Sequence, residues 1–376
     1  MKAIGIVLAG GNSNRMSGLS KLRAISAMPI AGSYRAIDFT LSNMTNSHVQ
    51  KVAVLTQYNS RSLHEHLSSS KWWDFGRKQG GLFVFTPTIT PDNGFWYRGT
   101  ADAIYQNLTF LHQSHEPYVI IASGDGIYKL DYRKVLEYHI DKNADITVVT
   151  KHVNVTEDEV TRYGLVKTDA DGRIVDYEEK PLIANSSTVS CGIYVIRRRL
   201  LIELIESAAK EERYDLVKDI LVRYKDVKKL YSYNLETYWS NIACVDSYYK
   251  TNMDFLKPEV RNYFFREYPD VYSKIDDLPP AKYNPQAVVK NSLVSSGSIL
   301  NGVVENSLLF KGVYVGNNTV IKNSIVLNGT YIEDNVYLEN VIVESRNTIK
   351  QGSRFVGEGK PLVISDMTDR YGIEEK

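Results

Sequence analysis

The sequence predicts an α/β domain with a mixed, mostly parallel sheet, followed by a parallel β-helix. Two patterns support this prediction. Short apolar stretches alternate with helical ones through the first 256 residues, which is typical of a mostly parallel sheet with helices on both faces. After residue 285, Asn-led strand motifs recur at offsets of 15, 17 and 17 residues, as in a solenoid of stacked coils.

The length of 376 residues suggests two or three domains rather than one core. We predict the α/β domain over residues 1–256 and the β-helix over residues 286–376. Residues 257–285 are rich in proline, aromatic and charged side chains. We interpret them as an interdomain connection that its tyrosines keep ordered.

Composition excludes several classes of protein. With 45 Lys and Arg against 44 Asp and Glu, the net charge of +1 gives no bulk attraction to nucleic acid or an anionic membrane. No apolar segment approaches the roughly 20 residues that cross a bilayer, and the N-terminus does not resemble a signal peptide. Two cysteines cannot form a disulfide framework or a four-cysteine zinc site. We therefore expect a cytoplasmic protein with neither nucleic-acid nor membrane partners.

The apolar run at residues 4–9 predicts a buried strand, and Gly10 and Gly11 end it. In open α/β sheets, ligands bind at such carboxyl ends of strands. The following Asn12, Ser13, Asn14 and Arg15 would suit a polyphosphate. An ordinary turn between a strand and a loop is the alternative interpretation.

Further elements follow from periodicity. We predict strands at residues 52–56, 118–123, 145–150 and 190–196, helices at 101–113 and 198–209, and a hairpin that turns at residues 171–172.

The C-terminal repeats consist of the motifs that begin at Asn291, Asn306, Asn323 and Asn340, with glycines between them. Each coil buries its apolar side chains only by stacking on the next coil, so three or more coils are required. An antiparallel sandwich is the alternative, but it does not explain the 17-residue recurrence. Open ends of a β-helix invite capping or subunit contact.

Motifs dispersed through the first 254 residues resemble those of one enzyme family. They lie at residues 8–11, 34–39, 41–43, 46–47, 56–60, 96–103, 124–128, 179–181, 190–194, 238–239 and 247–254. Together, in this order and followed by a β-helix, they resemble the ADP-glucose pyrophosphorylases, or glucose-1-phosphate adenylyltransferases. The resemblance implies a Rossmann-like nucleotidyltransferase domain and a left-handed β-helix.

The family reaction, as the resemblance implies it, joins ATP and glucose 1-phosphate to give ADP-glucose and pyrophosphate for bacterial glycogen. Two aspartates hold Mg²⁺, and cations along the glycine-rich loop face the triphosphate. The positions matching the nucleotide site are Leu8, Ala9, Gly10, Gly11, Arg15, Gln57, Gly99, Thr100, Ala101 and Asp125. Those matching the sugar-phosphate site are Tyr97, Gly164, Glu179, Lys180 and Ser190. Asp125 also matches the first metal aspartate.

The departures from the family pattern fall on groups that handle charge. Asn241 replaces the second metal aspartate, and a neutral amide is a weaker ligand for a hard cation. Ile25 and Ser33 stand where lysines associated with phosphate and activator binding are expected, and the second loop glycine is missing. Gly126 replaces a histidine, and the usual Gln-Gln-Arg segment is absent from residues 86–95. Losing one such group typically lowers the rate by about 10²–10³.

The sequence therefore favours a regulatory, largely non-catalytic subunit that forms a hetero-oligomer, a tetramer by expectation, with a catalytic paralogue. The pocket would bind ATP, ADP-glucose or glucose 1-phosphate as a ligand, with Mg²⁺ accompanying the nucleotide and no required cofactor. The alternatives are a weak glucose-1-phosphate adenylyltransferase and a non-enzymatic sugar-nucleotide-binding scaffold. An acyltransferase is disfavoured because residues 291–357 contain no histidine.

Overall fold

The apolar run at the N-terminus forms the strand Ala3–Leu8, which lies inside a nine-stranded sheet. In the computed structural model, the described residues are 2–11, 14–76, 80–89, 94, 96–153 and 157–365. Ile4, Ile6 and Val7 of the strand are at most 2 % exposed, because both of its faces are covered. The predicted buried strand is confirmed.

The sheet is mixed, as predicted. Seven strands are hydrogen-bonded side by side in the order Ile174–Glu179, Gly164–Thr168, Thr188–Arg197, Tyr118–Ser123, Ala3–Leu8, Lys51–Leu55 and Gly81–Phe85. The strand Ile146–His152 also pairs with Thr188–Arg197, and Leu230–Asn234 pairs in turn with Ile146–His152. The strands from Tyr118–Ser123 to Gly81–Phe85 are parallel to one another. The hairpin between Gly164–Thr168 and Ile174–Glu179 is antiparallel, with Gly172 in the left-handed region at φ 82°.

Helices connect these strands and continue beyond them. The α-helices are Ala36–Asn46, Arg61–Leu67, Thr100–Tyr105, Leu108–His112, Tyr132–Asp141, Glu157–Val160, Arg198–Lys210, Val245–Asp254 and Pro258–Phe265, and a π-helix spans Val217–Val222. Short 3₁₀ segments lie at Asn14–Ser20, Ile25–Ala27 and Ser70–Trp73, and further short strands at Pro29–Ile30, Tyr34–Arg35, Gly126–Tyr128 and Trp239–Asn241. In the described residues, no helix is long and apolar enough to cross a membrane.

The helix predicted at residues 101–113 is in fact two helices, which is a correction. Asn107 lies between them with φ −114° and ψ 21°, outside the helical region. Its amide nitrogen donates to the backbone oxygen of Ala103 and to the hydroxyl of Tyr97, each at 2.9 Å. Asparagine side chains compete with helical backbone bonds in this way. The single predicted helix at residues 198–209 is confirmed as Arg198–Lys210.

By contacts, the chain divides into two compact units that are not contiguous in sequence. The first unit comprises Met1–Gly11, Phe39–Ser60 and Leu67–Trp239. The second comprises Asn12–Asp38, Arg61–His66 and Ser240–Lys376. The domain bounds predicted from the sequence were contiguous, and they stay a prediction.

The C-terminal part of the second unit is the predicted left-handed parallel β-helix. Its three stacks of parallel strands are Lys282–Tyr283, Ile299–Leu300, Tyr314–Val315, Tyr331–Ile332 and Thr348–Ile349; Val288–Lys290, Val303–Glu305, Val320–Lys322, Tyr337–Glu339 and Arg354–Val356; and Leu293–Val294, Leu308–Leu309, Ile325–Val326, Val341–Val343 and Leu362–Ile364. Because all these pairings are parallel, an antiparallel sandwich is excluded.

The repeated asparagines lie at the corners of the coils. Asn291, Asn306, Asn323 and Asn340 all have positive φ, between 41° and 52°. Among non-glycine residues, asparagine tolerates this left-handed conformation best. The recurrence seen in the sequence therefore marks one corner of each coil together with the short apolar strand that follows it.

The predicted interdomain connection contains a helix, Pro258–Phe265. Phenylalanines, more than tyrosines, order this helix: Phe264 is fully buried, and the rings of Phe265 and Tyr34 stack with centroids 4.7 Å apart. The proline content that suggested a connection is partly explained by Pro258, which begins the helix at a position where its missing N–H is not required.

Candidate functional site

In the first unit, the predicted nucleotide-binding turn lies beside the predicted metal aspartate. The backbone N–H of Gly124 donates to the oxygen of Leu8 at 3.0 Å, and the N–H of Ala9 donates to Leu55 at 2.8 Å. The turn at residues 8–11 and the turn at Asp125 thus follow adjacent parallel strands at the same edge of the sheet. This is the location where α/β sheets bind ligands.

The fold does not require glycine at positions 10 and 11. Neither residue has a positive φ, and a Cβ at Gly11 would meet no described atom within 4 Å. At Gly10, the nearest atom would be Cβ of Gln57 at an ordinary contact distance of 3.5 Å. The described residues would therefore tolerate a Cβ at both positions, and the predicted approach of a ligand to this turn stays a prediction. Asn12 and Ser13, predicted to continue this lining, lie outside the described residues.

Gln57 and Tyr97 were predicted for different sides of the pocket, and the structure brings them together. The backbone N–H of Tyr97 donates to the Gln57 carbonyl oxygen at 2.6 Å, and the Gln57 amide donates back to the Tyr97 oxygen at 3.2 Å. The amide of Gln57 is therefore engaged by backbone, and it positions Tyr97. Burial raises the pKa of the Tyr97 hydroxyl, which keeps it protonated.

The residues 99–101 begin the helix Thr100–Tyr105 and are fixed by the segment at Tyr214. A Cβ on Gly99 would lie 2.3 Å from the backbone oxygen of Tyr214, so only glycine fits there. The N–H of Ala101 donates to the same oxygen at 2.8 Å, and the Thr100 hydroxyl accepts from the N–H of Leu216 at 2.9 Å. These contacts are structural, and they hold the loop that carries Tyr97.

Arg98 was not predicted as a site residue, although it lies within the family motif at residues 96–103. Its guanidinium packs over the Tyr214 ring, 3.9 Å from the centroid, and contacts Asp102 at 3.3 Å. Its backbone N–H donates to the same carboxylate at 2.8 Å. Asp102 is 2 % exposed, and this pairing satisfies its buried charge.

Asp125 is half-buried and hydrogen-bonded to a neighbour on the same turn. The Ser123 hydroxyl donates to its carboxylate at 2.5 Å. Burial raises the pKa of the Asp125 carboxyl, and the Ser123 hydrogen bond and the charge of Lys180 only partly oppose this shift.

Apart from Tyr97, the predicted sugar-phosphate residues lie on or directly after three neighbouring strands. Glu179 and Lys180 form an ion pair at 3.5 Å, and the amine is 59 % exposed. A Cβ on Gly164 would lie 2.9 Å from the Glu179 carboxylate and 2.7 Å from the Tyr177 ring. Ser190 completes the group, with its hydroxyl 3.5 Å from that of Tyr194.

The tyrosines of this group were missed as site residues. Tyr177 and Glu179 are two apart on one strand and so share a face. Ser190 and Tyr194 lie on either side of a bulge in another strand, where Gly192 has a φ of 70°. Alternation could therefore have indicated Tyr177 but not Tyr194. Burial raises the pKa of the Glu179 carboxyl, with the charge of Lys180 opposing it, so the group combines a cation, a proton-holding carboxyl and several hydroxyls, which suits a phosphorylated sugar.

The remaining predicted residues belong to the second unit. Arg15 is exposed. The Asn241 side-chain oxygen accepts from the N–H of Ala243 at 2.9 Å in a local turn. Ile25, at the position of the expected phosphate lysine, is 7 % exposed and lies in a buried 3₁₀ turn.

The first unit offers few donors to Mg²⁺. Among the described residues, no three His, Cys, Asp or Glu side chains are grouped to hold a metal ion. In the first unit, Asp125 is the one carboxylate at a position predicted to hold the metal. Mg²⁺ usually requires one or two ionised carboxylates together with substrate phosphates. We therefore derive no catalytic step that passes through a metal.

A polar cavity of about 140 Å³ lies in the second unit beside Ser33, where a lysine was expected. Two cations in its wall are bound by oxygens of the protein. Lys311 pairs with Asp276 at 2.9 Å, and Arg35 donates to the backbone and hydroxyl oxygens of Ser62 at 2.8 Å. The loss of the lysine therefore leaves a cavity whose cations are already bound by protein oxygens.

Comparison with known proteins agrees with the fold and the motifs. The family model described as Nucleotidyl transferase matches residues 4–258, and the model described as GlmU-like C-terminal hexapeptide matches residues 279–361. A protein named glucose-1-phosphate adenylyltransferase from Bacillus anthracis is 41 % identical over 318 residues, 84 % of each chain.

Proteins of the same name from two other bacteria are similar. The Thermosipho melanesiensis protein is 38 % identical over 83 % of this chain and 76 % of its own length. The Clostridium novyi strain NT protein is 37 % identical over 84 % of this chain and 83 % of its own. The chain thus belongs to the nucleotidyl transferase family and, within it, to the glucose-1-phosphate adenylyltransferases.

Proposed function

We propose that this chain is a regulatory, largely non-catalytic subunit of glucose-1-phosphate adenylyltransferase. It supports the synthesis of ADP-glucose and pyrophosphate from ATP and glucose 1-phosphate, for glycogen formation in the cytoplasm, by assembling with a catalytic paralogue. The observation that carries this proposal is Asn241. It stands where the family pattern has a metal aspartate, and its oxygen is bound to the N–H of Ala243.

The chemistry explains why this substitution matters. In the family reaction a sugar-phosphate oxygen attacks the α-phosphorus of ATP, and negative charge must be neutralised as pyrophosphate leaves. This chain has a carboxyl at Asp125, but no carboxylate at Asn241 and a buried apolar side chain at Ile25. Each missing group typically lowers the rate by about 10²–10³, although neighbouring losses need not add.

Three features support ligand binding in this proposal. They are the glycine turn at residues 10–11, the hydrogen-bonded pair of Gln57 and Tyr97, and the ion pair of Glu179 and Lys180. In this proposal the pocket binds ATP, ADP-glucose or glucose 1-phosphate as a ligand, with Mg²⁺ brought by the nucleotide, and the chain acts within a hetero-tetramer.

Purified chain, incubated with Mg²⁺, ATP and glucose 1-phosphate, tests the proposal through the release of pyrophosphate. We expect negligible release by the chain alone, and a higher rate or a changed effector response when it is added to its catalytic paralogue. Release at the pace of an ordinary enzyme without a partner would overturn the proposal. Failure to associate with the paralogue would favour a scaffold.

Two substitutions, made one after the other, restore the charged groups expected at positions 241 and 25. They show whether these groups account for the low rate expected of this chain. Asn241→Asp keeps an oxygen that can accept from Ala243, so it should fold normally, and it is made first. Ile25→Lys is added second, with the thermal midpoint recorded, because Ile25 is only 7 % exposed and a lysine there must carry its charge out of a packed region. A rate that rises over these two steps indicates an otherwise intact pocket.

A weakly active adenylyltransferase is the second candidate, favoured by relatives of that name at 37 to 41 % identity. Under it, Asn241→Asp raises a rate that is already measurable in the unmodified chain. Under the regulatory proposal, the unmodified chain shows no rate above that of a Lys180→Ala variant.

A further inference from the structure

In the first unit, a single lysine holds the loop that follows the strand Leu230–Asn234. The Lys151 ammonium donates to the backbone oxygens of three consecutive residues, Leu235 at 3.2 Å, Glu236 at 3.4 Å and Thr237 at 2.6 Å. A lysine has three N–H donors, so this arrangement uses all of them. Hydrogen bonds from a charged donor are roughly twice as strong as those between neutral groups. We call residues 235–237 the carbonyl loop.

Two further hydrogen bonds fix the ends of the carbonyl loop. The N–H of Leu235 donates to the oxygen of Thr150 at 2.8 Å, which continues the pairing between the neighbouring strands. The Thr237 hydroxyl donates to the oxygen of Lys129 at 3.3 Å. Lys151 joins all three residues of the loop to the strand Ile146–His152. The path of the chain beyond the loop therefore depends on Lys151.

Trp239 follows the carbonyl loop closely and lies between the two parts of the predicted pocket. Its ring packs against that of Tyr163, with centroids 5.8 Å apart, and Tyr163 precedes Gly164 of the sugar-phosphate group. The indole nitrogen would lie 3.9 Å from a Cβ on Gly126, which adjoins Asp125. The half-buried ring is therefore a wall shared by both parts of the predicted pocket.

The Trp239 ring is not fixed by a hydrogen bond of its own to the described residues. Its indole N–H is buried and has no hydrogen-bond partner among them. Most buried donors do have a partner, and that partner helps to fix their orientation. Here the ring is oriented by packing against Val160, Leu165 and Val189 and by the position of its own backbone. That backbone position depends on the carbonyl loop.

We propose that Lys151 is a positioning residue of the ligand pocket. It holds the carbonyl loop and thereby places Trp239 against a bound sugar nucleotide, ADP-glucose. This inference rests on the proposed function, in which the pocket binds that ligand. Lys151 does not need to touch the ligand, because a displacement of about 1 Å in a pocket wall is enough to impair the fit of what it contacts.

Titration calorimetry of the full chain with ADP-glucose tests the proposal. Lys151→Met keeps the apolar stem of the side chain and removes the ammonium, so it should weaken ADP-glucose binding by about tenfold. Lys151→Arg keeps charged N–H donors and should bring the affinity back to within about threefold of the unmodified chain. Hydrogen exchange at residues 235–239 should be faster in Lys151→Met than in the unmodified chain.

A double-mutant cycle shows whether Lys151 acts through Trp239. In a Trp239→Phe background, Lys151→Met should cause little further loss of affinity, because the group that it displaces has already been changed. A lysine with a purely structural role would lower the affinity by the same factor in both backgrounds.

Lys142→Met is the matched control for loss of a lysine. The Lys142 ammonium also donates to a backbone oxygen, that of Asp171 at 3.0 Å, but at the turn of the hairpin. We expect this variant to bind ADP-glucose like the unmodified chain. Circular dichroism and thermal midpoints establish that each variant is folded at the temperature of the titration. If Lys151→Met is not, Lys151→Gln replaces it and should also weaken binding, since its donor is too short to reach all three oxygens.

Several outcomes would overturn the proposal. They are equal affinity or equal hydrogen exchange in Lys151→Met and the unmodified chain, an equal loss of affinity with and without Trp239, and a loss of the same size in Lys142→Met. An unmodified chain that does not bind ADP-glucose would also overturn it. That last result leaves the regulatory role to be decided separately, by pyrophosphate release and by association with the catalytic paralogue.

Discussion

The described structure does not require glycine at positions 10 and 11. Substitutions there can therefore test ligand binding without a loss of stability. A fold usually requires glycine where the backbone is left-handed or where a neighbouring atom lies too close for a Cβ. Here neither applies, since φ is not positive and Gly11 faces open space among the described atoms. A role in ligand binding stays a prediction, and it can be tested apart from stability.

We therefore predict that Gly11→Ala lowers the affinity for ATP by about tenfold while stability is unchanged or rises by about 0.5–1 kcal/mol. Titration calorimetry and thermal unfolding measure the two effects. Gly76→Ala is the matched control, because a Cβ there also meets no described atom within 4 Å. Equal ATP affinity in the two variants would contradict a phosphate-binding role for the turn.

Glu179 offers a prediction with a defined pH dependence. Burial raises its folded-state pKa above the ordinary value of 4.5. A raised folded pKa means that the folded state holds the proton more tightly, so this group's contribution to stability is complete below pH 4.5 and is lost as pH rises through the folded pKa. Ionised Glu179 thus destabilises the fold at neutral pH.

Glu179→Gln should accordingly be more stable than the unmodified chain at about pH 7, and the difference should shrink as pH falls toward 4.5. Denaturant unfolding at several pH values measures this. Glu178→Gln changes the adjacent carboxyl on the opposite side of the strand and serves as control. A difference between Glu179→Gln and the unmodified chain that does not vary with pH would show that burial is not the cause.

Among the elements, the coils of the β-helix depend on left-handed corners. Gly297, Gly312 and Gly329 occupy one corner with φ between 68° and 76°, and Arg346 occupies the same corner one coil later with φ 59°. An arginine in this conformation is strained by its Cβ, whereas asparagine adopts it readily.

Arg346→Asn should raise the free energy of unfolding by about 1 kcal/mol, because it relieves that strain. Chemical denaturation measures the change. Arg346→Ala removes the long side chain and keeps the strained Cβ, so it should give no gain. If both variants are equally stabilised, the arginine side chain rather than the backbone conformation is responsible.

For the molecule as a whole, the unexpected feature is that residues 12–38 belong to the same unit as the β-helix. Arg23 and Glu344 form an ion pair at 2.6 Å, with side chains 12 % and 4 % exposed. The Tyr248 hydroxyl donates to the oxygen of Pro29, and the N–H of Ala31 donates to Asn252. These bonds hold the segment through groups far along the chain.

Glu344→Ala should lower the free energy of unfolding by about 3–5 kcal/mol, because it leaves the Arg23 guanidinium buried without its partner. Urea unfolding checks this value. Glu358→Ala, at an exposed position of the same unit, should change it by less than about 0.5 kcal/mol. A loss below about 1 kcal/mol for Glu344→Ala would mean that water replaces the carboxylate.

A chain that ends at residue 285 provides a stronger test. It lacks Glu344, so residues 12–38 should become sensitive to limited proteolysis even if the sheet remains folded. Cleavage sites located by mass spectrometry would show this. Protection of residues 12–38 equal to that of the full chain would instead support the contiguous domain bounds predicted from the sequence.

Periodicity alone predicted the strand Ala3–Leu8, the helix Arg198–Lys210 and the β-helix, because each depends on a repeated apolar pattern that must be buried. The break at Asn107 escaped prediction because it depends on a hydrogen bond to Tyr97, ten residues away. The site was predicted residue by residue through resemblance, and its binding roles stay predictions.

Tertiary structure decided what pattern could not. It placed Tyr177 and Tyr194 beside Glu179 and Ser190, bound the Asn241 oxygen to Ala243, and joined residues 12–38 to the β-helix unit. The physical reason is the distance along the chain over which each property is set. Alternation and turns are local properties of consecutive residues, whereas burial, ion pairing and a carboxyl's pKa depend on groups that the fold brings together from distant parts of the chain.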